Sequence, residues 1–165
     1  MTSRRTVLRT SAVVALGTTA FLSGAGSAVA RSSDFPQQCA EIEEVLKSYE
    51  RSLNASDVAG VVRLYTDDAV VLAPGAPSAV GIDAVRAAYT GIFQAIDIDI
   101  TFEIAEVKIV APGWAFLRST SNGRAIILAS GAQIPSSNQE LFVLQKIQGL
   151  WKFARYSFSS VLPSA

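Results

Sequence analysis

The segment Ile96-Asp97-Ile98-Asp99-Ile100-Thr101-Phe102 decides the fold. Apolar and polar residues alternate strictly in it, the period of two that marks a strand with one face buried and the other half-solvated. From here to Leu162 β-branched and aromatic residues dominate. Strands are read at about 99 to 110, 114 to 121, 124 to 130, 138 to 147 and 151 to 161. Pro112-Gly113 and Gln148-Gly149 are turn signals between neighbours, and Asn122-Gly123 is the strongest short hairpin signal in the chain.

Upstream of Ile96 the apolar period is that of a helix. Ile42, Val45, Leu46, Tyr49 and Leu53 follow Cys39 at helical spacing, with Glu43, Glu44, Lys47 and Arg51 on the opposite side. Ser56 is placed to cap a shorter helix carrying Val58, Val61, Val62 and Tyr65, which ends at Asp67-Asp68. Ala69 to Ala73 is a short apolar strand stopped by Pro74-Gly75. A third helix follows Gly81, with Ile82, Val85, Tyr89, Ile92, Phe93 and Ile96 on one face. Helices first and a meander afterwards predict an α+β domain, with three N-terminal helices packed on one face of a curved antiparallel sheet.

Residues 1–30 read as a leader. Arg4-Arg5 precede the mild apolar stretch Ala12 to Leu22, and Ala28-Val29-Ala30 supplies a small-x-small cleavage site. The pattern resembles a bacterial twin-arginine signal, so residues 31–165 are expected as a single exported domain, extracellular or in the cell envelope. The whole chain carries 14 basic and 14 acidic side chains. Removing Arg4, Arg5 and Arg9 leaves 11 against 14, a net charge of −3. A mildly acidic domain without a basic run lacks what nucleic acid or anionic lipid requires, and neither is expected as a partner. Cys39 is the only cysteine and there is no histidine. These counts exclude an intrachain disulfide, Ser-His and Cys-His nucleophiles and histidine-ligated zinc. Cys39 itself reads as a small buried hydrophobe.

The series Leu53-Asn54-Ala55-Ser56-Asp57, Leu64-Tyr65-Thr66-Asp67-Asp68-Ala69-Val70-Val71, Pro74-Gly75, Gly81-Ile82-Asp83-Ala84-Val85 and the late Trp151-Lys152-Phe153 spans about residues 40 to 161. It resembles the SnoaL-like and ketosteroid-isomerase-like branch of the nuclear-transport-factor-two-like superfamily, which implies a cone enclosing a small-molecule pocket. Gly131-Ala132, Asn138-Gln139-Glu140-Leu141-Phe142-Val143 and Ala154-Arg155-Tyr156 are most similar to the subgroup named for SgcJ and EcaC. That subgroup carries an oxidoreductase label. No nucleotide-binding glycine motif occurs here, so no cofactor is expected.

In ketosteroid isomerase a helix tyrosine and a protonated carboxylic acid form the oxyanion hole, and an aspartate before a proline is the base. The resemblance carries the tyrosine to Tyr49 and the acid to Glu140, while the position before Pro74 is Ala73, which cannot take a proton. Loss of a general base costs about 10² to 10⁴ in rate, so the isomerisation is not expected. Alternation from Glu140 turns Phe142 and Leu144 inward; by resemblance Trp114, Phe116, Arg118, Thr120 and Asn122 share the inner face of their strand, as do Ala154, Tyr156 and Phe158. The expected ligand-binding set is Tyr49, Trp114, Arg118, Thr120, Asn122, Glu140, Phe142, Tyr156 and Phe158, with no metal. An arginine beside Glu140 would keep its carboxylate ionised. Two readings of that pair stay open: it orients a polar group of an apolar ligand, or it is a core ion pair. Asp67-Asp68 read as turn and cap residues, and Tyr65 and Tyr89 as packing. Leu117, Leu141, Val143 and Ile147 form an apolar outer sheet face suited to a homodimer.

The function expected is an exported protein that binds an apolar small molecule in its cone. The alternative is an enzyme, a polyketide cyclase, isomerase or oxidoreductase, acting on an apolar polycyclic substrate.

Overall fold

The computed structural model describes residues 26–161. The twin-arginine pair and the apolar stretch of the leader lie outside the described residues. The elements are α1 (Gly26–Asn54), α2 (Val58–Val62), β1 (Tyr65–Leu72), β2 (Ala79–Val80), α3 (Ile82–Ala95), β3 (Ile96–Ala111), β4 (Trp114–Ile127), β5 (Gln133–Ile147) and β6 (Leu150–Ser160). The α+β expectation holds: three helices pack against one six-stranded sheet of order β2-β1-β6-β5-β4-β3. The sheet is mixed rather than wholly antiparallel. β3 to β6 form an antiparallel meander, but β1 lies parallel to β6. These two strands are far apart in the chain, so no hairpin dictates their relative direction.

α1 faces the sheet with Ile42, Leu46, Tyr49 and Leu53, all buried at the predicted helical spacing. They meet Leu117, Phe142, Leu144 and Phe153 in one core cluster. Phe142 is sandwiched there, its ring 4.3 Å from Tyr156 and 4.6 Å from Phe153. Burying each such side chain contributes about 1.5–3 kcal/mol. Cys39, expected to be buried, is only half-buried.

The end of α1 is also tied to the exposed edge of β3. Asn54 donates to the Ile100 carbonyl at 2.8 Å and accepts from the Ile100 amide at 3.1 Å, while the Phe102 amide donates to Glu50 at 2.7 Å. Side chains thus satisfy backbone groups that an edge strand would otherwise offer to another chain.

Several local expectations are corrected. Asp57, not Ser56, caps α2, accepting from the Gly60 amide at 2.9 Å, while Ser56 adopts a left-handed φ of 51°. Tyr65 is a strand residue, because the Phe153 amide bonds the Leu64 carbonyl and starts the parallel ladder there. Asn122-Gly123 is no hairpin: β4 runs straight through it, with Gly123 opposite Ile100 on one side and Ser136 on the other. Glycine is needed there because a Cβ would collide with the Asp99 carbonyl oxygen and the Ile100 Cα. The β4–β5 reversal falls instead at Ser130-Gly131, whose amides bond the Ile127 carbonyl, with Gly131 at φ 71°.

Candidate functional site

Between α1, α3 and the inner face of the sheet lies a cavity of about 640 Å³, within the range of ligand pockets. Its walls are apolar. Ala88, Tyr89, Ile92 and Ala95 come from α3, Ile96, Ile98 and Ile100 from β3, and Val71, Ala73, Pro74, Ala76 and Pro77 from β1 and the loop after it. The isoleucines reach it because the alternation that places Asp97 and Asp99 in solvent turns their neighbours inward. The polar groups in its lining are Tyr49, Tyr89, Tyr156, Ser136, Asn138 and Glu140, with no lysine or arginine.

Two hydrogen-bonded groups of side chains border this space. In the first, the Tyr89 hydroxyl stands 2.6 Å from that of Tyr49 and 2.7 Å from that of Tyr65. Burial raises all three phenols, Tyr89 to about 12 and the others well above the ordinary value, so each keeps its proton. Tyr49 and Tyr89 of this group line the cavity, and Tyr65 lies behind them.

In the second group, Tyr156 donates to Glu140 Oε2 at 2.8 Å, and Asn138 donates to Ser121 Oγ at 3.2 Å. Ser121 bonds the Glu140 carboxyl in turn. Burial pushes the Glu140 carboxyl up from its ordinary value, against the opposing pull of the Ser121 and Tyr156 hydrogen bonds. Among the described residues no cation offsets that burial. Together the two groups bring phenol hydroxyls and a carboxyl whose burial raises its affinity for a proton into the cavity lining.

Of the expected site residues, Tyr49, Glu140, Tyr156 and Phe158 line the cavity. Phe142 lies behind them, fully buried and stacked on Tyr156 with ring planes 1° apart. Trp114, Arg118, Thr120 and Asn122 are on the opposite face of β4 and do not reach the pocket. The buried residues of that strand are Ala115, Leu117, Ser119 and Ser121. Cross-strand pairing fixes this, since Glu140 lies opposite Ser119, whereas Arg118 lies opposite Leu141 and Glu106, and directly paired residues share a face. Arg118 accordingly donates to Glu106 at 2.8 Å on the outer surface. The Arg118/Glu140 pair does not exist, and the expectation of a lowered, permanently ionised Glu140 is reversed. Leu117 leaves the outer apolar face for the core.

Sequence reasoning passed over Tyr65 and Tyr89 as packing, and over Ser136, Asn138 and Ser121 altogether. Stepping back by twos from Glu140 along its strand would have found Asn138 and Ser136. Ala73 lines the cavity as the resemblance implied, so a methyl group stands where a base would act. Among the described residues no three of His, Cys, Asp and Glu gather to hold a metal ion.

Residues 45–152 match the SnoaL-like domain family. The crystal structure of a ketosteroid isomerase-like protein from Erwinia carotovora atroseptica SCRI1043 is similar with a TM-score of 0.73 and 38% identity, over 76% of this chain and 98% of that one. A hexachlorocyclohexane dehydrochlorinase (LinA) type 2 shares the fold at TM-score 0.70 and 10% identity, over 79% of this chain and 90% of the other. An NTF-2-like protein from Shewanella oneidensis MR-1 shares it at TM-score 0.59 and 18% identity, over 73% and 97%. No curated protein matches. The chain belongs to the SnoaL-like domain family, on the nuclear-transport-factor-two-like fold.

Proposed function

We propose that this protein binds an apolar small molecule bearing a carbonyl or similar oxygen, which a hydroxyl of Tyr49 or Tyr89 and the protonated Glu140 carboxyl hold at the cavity floor. The observation that carries the reading is an otherwise apolar cavity of about 640 Å³ whose lining includes two hydrogen-bonded polar groups, Tyr49 with Tyr89 and Glu140 with Tyr156. Ala73 argues against proton abstraction there, so binding rather than isomerisation is the reading preferred. A fluorescence titration with the neutral ketone 2-acetylnaphthalene tests it. Binding should weaken about tenfold in Glu140→Leu and vanish in Ala88→Trp, which fills the cavity. Absence of binding by the wild-type protein would end the proposal.

The alternative reading, an enzyme on a polyketide-like substrate, draws on one observation: a buried carboxyl whose affinity for its proton is raised is suited to act as a general acid. Such an enzyme would keep binding but lose turnover in Glu140→Gln. Assignment to the SgcJ/EcaC subgroup rests on the Asn138–Val143 and Ala154–Tyr156 stretches. Export through the twin-arginine route is proposed from Arg4-Arg5, and unchanged export of an Arg4→Lys/Arg5→Lys precursor would contradict it. A homodimer is proposed from the exposure of Leu141 and Ile147 on the outer sheet face. Sedimentation as a monomer at micromolar concentration would refute it.

A further inference from the structure

Ser136, Asn138 and Glu140 are alternate residues of β5, and all three line the cavity. Each step of two residues advances about 6.6–6.8 Å along the strand. The three therefore form a polar rail leading outward from the buried carboxyl, in a lining they share with the apolar Ile96 and Ile98. Exposure rises along it: Glu140 is buried, while Asn138 and Ser136 are half-buried.

The hydrogen bonds fix which way the Asn138 amide points. Ser121 is fully buried, and the Asn138 nitrogen faces its Oγ at 3.2 Å and donates to it. The same nitrogen donates to Ser136 Oγ at 3.3 Å. Both N–H groups are thereby used, and Asn138 Oδ1 has no partner among the described residues. Ser136 accepts from Asn138 and retains its own proton to donate. One free acceptor and one free donor, side by side on the same wall, match a single hydroxyl, which donates to Oδ1 and accepts from Ser136. A carboxylate would present no donor to Oδ1 and would find no lysine or arginine in the lining. A hydrocarbon would leave both groups unsatisfied.

We propose that Asn138 and Ser136 form an outer polar subsite that reads a hydroxyl on the ligand, one or two strand steps from the oxygen held at the floor, so that the preferred ligands are apolar hydroxy-ketones. This inference rests on the pocket reading above. It is tested by titrating the protein with two ketones that differ in one hydroxyl, 2-acetylnaphthalene and 6-acetyl-2-naphthol. The wild-type protein should hold the hydroxylated ketone about tenfold more tightly, one hydrogen bond's worth. In Asn138→Ala that preference should fall to within about twofold, and Ser136→Ala, which leaves the bond from Asn138 to the buried Ser121 in place, should lower it in the same direction. Expressing the result as the ratio of the two ketones cancels any general damage to the floor, because both use it. Equal binding of the two ketones by the wild-type protein, or a preference unchanged in both variants, overturns the subsite while leaving the pocket reading intact. If neither ketone binds, the pocket reading itself falls and the subsite with it.

Discussion

Replacing Glu140 by glutamine should stabilise the protein at neutral and alkaline pH and leave it unchanged in acid. Glu140 is 6% exposed, hydrogen-bonded by Tyr156 and beside Ser121, with no cation among the described residues to offset its charge. Its carboxyl holds a proton more tightly in the folded chain than in the unfolded chain, where the value is near 4.5. The folded state therefore binds more protons than the unfolded state between the two values. Stability is fully present below about 4.5 and declines as pH rises through the folded value. Each unit of separation costs about 1.4 kcal/mol, a sizeable part of the roughly 5–15 kcal/mol that stabilises a domain. In thermal terms this is roughly 3 to 8 °C per unit. Glutamine has the shape of the protonated acid, accepts the Tyr156 hydroxyl equally well and cannot ionise. Thermal denaturation of both proteins from about pH 4 to pH 9, followed by circular dichroism, should give curves that coincide in acid and diverge upward for Glu140→Gln. A wild-type protein that becomes the more stable of the two as pH rises, or curves that stay parallel throughout, would refute the assignment of a buried carboxyl without a cation beside it.

Phe142→Ala removes the ring stacked between Tyr156 and Phe153 and should cost about 3–5 kcal/mol in denaturant unfolding; a loss under about 1.5 would deny it a central place in the core. Gly123→Ala drives a methyl group into the Asp99 carbonyl and should cost about 1–3 kcal/mol, whereas a neutral result would show that β3 and β4 are not so closely apposed. Arg118→Ala removes only a surface pair with Glu106, in which the arginine side chain is 57% exposed, and should cost less than about 1 kcal/mol. A much larger loss in that variant would return Arg118 to the interior.

The two hydrophobic periods made the fold legible, and the resemblance placed Tyr49, Glu140, Tyr156 and Phe158 in the pocket where the structure has them. β4 was misread because alternation separates a strand into two sets of residues without saying which faces inward. Both sets here contain apolar side chains, Trp114 and Phe116 in one and Ala115 and Leu117 in the other. Only the pairing of Glu140 with Ser119 decides between them, and register is a property of two strands rather than one. Asn122-Gly123 misled for a related reason, since a local turn preference yields to a strand hydrogen-bonded on both sides. The tyrosine group was hidden because Tyr49, Tyr65 and Tyr89 come from α1, β1 and α3. Their hydroxyls meet only after those elements pack.

The most direct test of the central claim is native mass spectrometry of the protein purified from its producing cells, before and after extraction with organic solvent. The account predicts an added mass of a single small neutral compound, released by the solvent and missing from Ala88→Trp, whose new side chain occupies the cavity. A wild-type protein that carries no such mass and takes up neither naphthyl ketone on titration would contradict it.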